Sequence, residues 1–215
     1  MKKYFNFRQI LVLATALSAF LIIGIGIVYQ LIVLPPAKHV ETKGSPGVGK
    51  KTAVIEMVLF EDFCCAGCRL FHKEVFPRIK EKYINKGVVR FTIVPLAFLP
   101  GSKSLANAAL EVYKIAPDRF FAYVHELSEE TAGAANSRLL RLGKKVGGIN
   151  LEKLDSCLKI GCHYQELNKN LEAARELMGR NFGTPALYVN GILTSTVSFE
   201  AVETRIEQLS RKGRL

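Results

Sequence analysis

Cysteine is scarce here, with five in 215 residues. That excludes a small scaffold held together mainly by disulfides, and a chain of this length can bury a core without them. Acids are missing from the first 37 residues, and no charge of either sign falls between Ile10 and Leu34. Nor is there an arginine-rich run interleaved with aromatics, which a nucleic-acid groove would need. The net charge of +11 therefore reads as a solvated basic surface, with basic and acidic groups scattered and partly alternating, as in Lys80-Glu81-Lys82. No nucleic-acid partner is expected. What is present, 49% hydrophobic and 23% charged residues, is the composition of a packed protein and excludes wholesale disorder.

The uncharged run Ile10 to Leu34 is 25 residues long and carries only mild polar groups: Thr15, Ser18, Tyr29 and Gln30. At about 1.5 Å per residue it is long enough to cross a bilayer as a helix. It ends in Leu34-Pro35-Pro36, a poor cleavage site, and no cysteine follows closely to take a lipid. An uncleaved anchor is favoured over a cleaved signal. The expected division is a cytoplasmic N-terminus (1–9), a transmembrane anchor (10–34), a flexible Pro/Gly/Lys-rich tether (35–51) and a domain (52–215).

Within the domain, Ala53 to Phe60 reads as a buried strand, Cys65 to about Asn85 as a helix that Pro77 kinks or restarts, and Val88 to Val94 as a second strand. Strand, helix, strand implies a parallel pair with a right-handed crossover. Residues 102–181 read as helices punctuated by Pro117, Gly133, Gly147-Gly148 and Gly161. Sheet signals return at Ala186 to Val189, and Asn190-Gly191 predicts a hairpin into Ile192 to Thr194. Ser198 is positioned to cap a last helix. The class is α/β: a βαβ unit, a helical block, then a ββα unit.

Cys65-Ala66-Gly67-Cys68 lies where the first strand gives way to a helix. Two intervening residues at a helix start let the sulfurs approach bonding distance. Cys65 then sits beside unpaired backbone N–H groups, which stabilise a thiolate, while Cys68, one turn in, is shielded and able to resolve a mixed disulfide. A C-x-x-C can also be half of a zinc site, but no second pair stands at zinc-finger spacing. Cys157 and Cys162 flank Gly161 at a spacing that suits a structural disulfide across a helix–helix turn; two free buried thiols are the alternative. Cys64 has no assigned role: it reads as a bystander, an exchange partner for Cys68 or a third thiolate. His72 shares a helix face with Cys65 and Cys68, yet a surface histidine is expected there, as at His39, His125 and His163.

Three stretches, FEDFCCAGCRLF, EVFPRIKEKYINKGVVRFTIVPL and FGTPALYVNG, come in an order and spacing that resemble the thioredoxin superfamily, and more closely its DsbA-like branch with a helical insertion. The resemblance runs from Ala53 to Leu209 and implies a thioredoxin-like fold. It also implies a thiol–disulfide oxidoreductase with Cys65 as nucleophile and Cys68 as resolving thiol. A cis Thr184–Pro185 bond is implied beside them, offering backbone groups to a substrate strand. The chain departs from its resemblers in two ways. Many carry a buried acid at the position of Leu59; here Glu61 and Asp62 follow instead and are expected to face solvent. Ala66-Gly67 lacks both the histidine of strongly oxidising members and the proline of reducing ones. Only the helix terminus, with Arg69 as a candidate helper, is left to hold the thiolate, so a weaker oxidant is expected.

The resulting expectation is a membrane-anchored enzyme in an oxidising space, a periplasm or cell exterior, where a Cys157–Cys162 disulfide persists. It oxidises thiol-containing secreted proteins, is reoxidised by a membrane redox partner and needs no dissociable cofactor. Running the same residues as a reductase or isomerase is one alternative. A copper- or zinc-handling protein using Cys64, Cys65, Cys68 and His72 is another.

Overall fold

The computed structural model describes residues 6–33, 37–129 and 134–212. Lys2, Lys3, the Leu34-Pro35-Pro36 stop, Glu130 and Gly133 lie outside these. The chain divides into Met1–Ala37 and Lys38–Leu215. The first unit is one helix, α1 (Phe7–Val33). Its Phe7–Val28 stretch has a mean hydropathy of 2.7 and no buried side chain, so length and composition suffice for a membrane span.

The second unit is built on a five-stranded sheet in the order β1-β3-β2-β4-β5. β1 is Gly47–Val48, β2 Ile55–Asp62, β3 Val89–Leu96, β4 Ala186–Val189 and β5 Ile192–Leu193. β2 and β3 run parallel, with Ile55 opposite Val89 and Asp62 opposite Leu96. The other pairings are antiparallel. β4 and β5 form the expected hairpin, with Asn190 at φ 47° and Gly191 at φ 76°, the positive angles that a two-residue turn requires.

β2 is buried on both faces, and alternate residues serve two cores. Ile55, Met57 and Leu59 pack with Phe71, Phe76, Phe91, Phe120 and Tyr123; Val58 and Phe60 pack on the other face with Val94, Ala174, Met178 and Tyr188. Pro95 is tolerated inside β3 because β1 pairs only with Phe91 and Thr92, so no neighbour needs the N–H that proline lacks. The crossover from β2 to β3 is a continuous helical run: α2 (Ala66–Leu70), a π-helical turn (Phe71–Val75), α3 (Phe76–Ile79) and a second π-helical turn (Lys80–Ile84). The first π turn resets the register just ahead of Pro77, which restarts the helix at its first turn rather than breaking it.

The insertion contains α4 (Ser102–Ile115), α5 (Phe120–Ser128), α6 (Asn136–Val146), α7 (Leu151–Ile160) and α8 (Tyr164–Met178). α8 leaves the insertion to pack against β3 and help form the second core. α9 (Phe199–Lys212) closes the chain, with Ser198 Oγ accepting from the Ala201 N–H at 3.3 Å. The fold is thioredoxin-like with a helical insertion, as the element order implies.

Two expectations are corrected. Residues 38–51 are not a free tether: the Lys38 N–H donates to the Gly191 carbonyl at 2.8 Å, and the Ile93 N–H donates to the Pro46 carbonyl at 2.8 Å. A strand of two residues leaves no periodic signal, and its pairing is dictated by the open edge of β3. His163 is also not a surface residue. It is buried against Glu111 (2.9 Å) and Glu166 (3.2 Å), whose hydrogen bonds, Glu166 first, raise its pKa against the opposing effect of burial.

Candidate active site

The site forms where β2 ends. The Asp62 carboxylate accepts from three backbone N–H groups: Cys64 at 2.9 Å on one oxygen, Phe98 and Leu99 at 3.0 Å on the other. The Cys65 N–H donates to the Asp62 carbonyl at 2.8 Å. This residue therefore ties the cysteine turn to the loop after β3. Cys65 takes the N-cap position of α2, in extended backbone with φ −71° and ψ 122°, so its sulfur faces the first free N–H groups of the helix.

Cys65 is half-buried and Cys68 buried, and both are thiols in this structure. The pKa of Cys65 is lowered from 9.0 to about 5. A hydrogen bond from the Cys68 thiol is the largest cause; burial opposes it, and the Thr184 side chain and the Cys68 and Gly67 N–H groups assist. Cys68 is pushed far up, first because it donates to Cys65, then by burial and by the negative charge of Glu61. The pair is thus divided into one ready thiolate and one firmly held proton.

Thr184 and Pro185 come from the other end of the chain to the same place. The Thr184–Pro185 bond is cis, and the Thr184 carbonyl lies 3.3 Å from Cys65 Sγ. Gly67 permits this approach: a Cβ there would lie 2.9 Å from Pro185 Cδ and 3.9 Å from Cys65 Sγ. The Pro185 ring thus stands where a side chain at position 67 would begin. Cys64 is half-buried, packed at the margin of the main core, and its carbonyl accepts from Arg69 Nη1 at 2.8 Å. Arg69 thus braces the backbone just before Cys65.

Glu61 and Asp62 do not face solvent; both are fully buried. β2 runs two residues further than the apolar pattern suggests, and pleat alternation keeps Glu61 on the face of Leu59, one repeat nearer the cysteines. His72 is buried too and meets Glu61, with 2.5 Å between Nε2 and Oε2. Nε2 is thereby engaged by Glu61, and among the described residues His72 forms no metal-ligating cluster with Cys64, Cys65 and Cys68. Glu61 Oε1 is buried with no hydrogen-bond partner. Cys157 and Cys162 are joined by a disulfide, Cα–Cα 5.1 Å, at the α7–α8 turn.

A sheet with a C-x-x-C at the end of its central parallel strand and a cis-proline beside it defines a class, and sequence comparison agrees: the family model described as thioredoxin matches residues 41–208, and the chain belongs to that family. Within it, the chain is 29% identical over 173 residues to disulfide bond formation protein D of Bacillus subtilis, covering 77% of each. Among solved structures, DsbA of Chlamydia trachomatis superposes with a TM-score of 0.76 at 29% identity, over 84% of this chain and 100% of that one. Oxidised BdbD of Bacillus subtilis gives 0.74 at 27% identity, over 80% and 96%. The chain is a thiol:disulfide oxidoreductase of the DsbA-like kind, acting on thiol-bearing substrates.

Proposed function

We propose that the protein is a membrane-tethered disulfide oxidase working outside the cytoplasm. Cys65 is its nucleophile and leaving group, Cys68 its resolving thiol, and Thr184-Pro185 its substrate-strand contact. The observation carrying this reading is the lowered pKa of Cys65, about 5, which favours the reduced enzyme at neutral pH and so favours giving the disulfide away.

In the forward direction a substrate thiolate attacks Cys65 Sγ of the Cys65–Cys68 disulfide. The S–S bond breaks, Cys68 leaves and takes a proton, which its raised pKa retains. A second substrate thiolate attacks the substrate sulfur of the mixed disulfide, and Cys65 departs as a thiolate. The substrate loses two electrons and two protons; one proton resides on Cys68 and the other enters solvent. Two electrons must then pass to a membrane oxidant. The apolar α1 supports an anchor, residues 1–9 a cytoplasmic start, and the Cys157–Cys162 disulfide an oxidising space.

The test is oxidation of a reduced two-cysteine peptide by the oxidised full chain in detergent. The reading expects one peptide disulfide per enzyme, none from Cys65→Ser, and, when the reduced Cys68→Ser chain meets a one-cysteine peptide capped as its glutathione disulfide, a trapped enzyme–peptide disulfide on Cys65 with release of glutathione. Trapping on Cys64, or peptide reduction favoured over oxidation, overturns it.

A further inference from the structure

Far from the C-x-x-C, the turn between α7 and α8 gathers four metal-ligating side chains. Cys157, Cys162, His163 and Glu111 each offer one donor atom, and all four atoms lie within 4.8 Å of one another. Cys162 Sγ is 3.6 Å from Glu111 Oε2, and His163 Nε2 is 2.9 Å from the same oxygen. Donors on a tetrahedral zinc ion, with bonds of about 2.0–2.3 Å, stand about 3.3–3.8 Å apart. The Glu111 and Cys162 donors already have that spacing, and the His163–Glu111 contact needs only to open slightly.

The surroundings are those of a built site. His163 Nδ1 faces Glu166 Oε2 at 3.2 Å, the carboxylate that orients an imidazole toward a metal on its other nitrogen. Asn107 fixes the turn, accepting from the His163 N–H at 2.9 Å and donating to the Cys157 carbonyl at 3.3 Å. Glu111, Cys157 and Cys162 line an open cleft of about 420 Å³, which gives an ion a way in. The disulfide uses both sulfurs and must open before an ion can bind.

We infer that this turn is a redox-gated site for a zinc-class divalent cation, closed as the Cys157–Cys162 disulfide and open as a Cys157–Cys162–His163–Glu111 site when those cysteines are reduced. Opening takes two electrons and two protons from a dithiol, which closes its own disulfide as the Cys157–Cys162 bond breaks. The cation then displaces the two thiol protons and the one shared by His163 and Glu111, all to solvent. Metal and disulfide are mutually exclusive, so the cation protects the thiols from oxidation. The inference is independent of the direction in which the C-x-x-C runs.

The test uses the full chain in detergent with Cys64, Cys65 and Cys68 changed to serine, which leaves two cysteines. After reduction by a phosphine and its removal, Zn²⁺ is titrated against a chromophoric chelator, and Co²⁺ is added as a spectroscopic probe. The inference expects one Zn²⁺ per chain, thiolate-to-cobalt charge-transfer absorption, and slowed closure of the disulfide by oxidised glutathione when Zn²⁺ is bound. It expects none of these in the oxidised chain, and weakening of at least about ten-fold in His163→Gln, the low end of losses from ligand-shell changes. Circular dichroism reports whether the reduced chain stays folded. Zn²⁺ bound equally by the oxidised form, no thiolate band with cobalt, an unaltered affinity in His163→Gln, or loss of fold on reduction each overturn it.

Discussion

Glu61 and His72 meet as a buried pair, eleven residues apart in sequence, with Oε2 and Nε2 2.5 Å apart on the core side of the redox helix. Glu61 lies one pleat repeat beyond Leu59 on the same strand face, and its charge bears on Cys68 rather than on solvent. Removing Glu61 takes away one of the influences that raise the Cys68 pKa. In a Cys65→Ser background, Glu61→Gln is expected to move alkylation of Cys68 to lower pH, as read by peptide mass. An unchanged profile would detach Glu61 from the chemistry.

The same pair has a stability signature. His72→Leu leaves a buried carboxylate without its partner, and loss of one member of such a pair costs about 3–5 kcal/mol. Replacing both members with apolar residues of similar volume recovers most of that loss, because no charge is stranded. Urea unfolding of the single and double variants measures the difference.

The thiolate at Cys65 predicts a pH profile. Its pKa is lowered from 9.0 to about 5, so its contribution to the stability of the reduced form is complete above the unfolded value and lost as pH falls through about 5. Iodoacetamide should therefore label Cys65 with a midpoint near about pH 5, and the stability gap between reduced wild type and Cys65→Ser should narrow as pH falls toward it. Thr184→Val removes one assisting hydrogen bond and should raise the midpoint.

Gly67 is a position where any side chain meets a ring. The 2.9 Å approach to Pro185 Cδ leaves no room for a methyl, so Gly67→Ala must push the proline away from Cys65. Overpacking of this kind costs about 1–3 kcal/mol. Peptide oxidation should slow with it, since Pro185 and Thr184 share the proposed substrate contact. A variant as stable and as fast as wild type would show that the proline is free to move.

The Cys157–Cys162 disulfide closes a short loop, so chain-entropy reasoning allows it only about 2 kcal/mol. A Cys157→Ala/Cys162→Ala variant is expected to lose roughly that much in urea unfolding while keeping its peptide-oxidising activity.

Features that depend on neighbours in sequence were readable without coordinates. The C-x-x-C at a strand end, the Thr184-Pro185 step before a strand and the Asn190-Gly191 hairpin each announce themselves within a few residues. Glu61, His72 and His163 did not, because burial of a charged side chain depends on what tertiary packing brings to it. A signal for Glu61 existed: alternation from Met57 through Leu59 carries on to it once the strand is allowed to continue past its last apolar residue. For Gly67 there was none, since the proline that excludes a side chain is more than a hundred residues away.

Whether the Cys65–Cys68 pair is a DsbA-like oxidant of tempered strength is read from its reduction potential. The full chain in detergent would be equilibrated in glutathione buffers, trapped by alkylation and read cysteine by cysteine. A thiolate with a pKa of about 5 lies between those of DsbA and thioredoxin. A single two-electron transition of Cys65 with Cys68 is therefore expected between about −120 and −270 mV. A midpoint at or below thioredoxin's, or a disulfide formed through Cys64 instead, would contradict it.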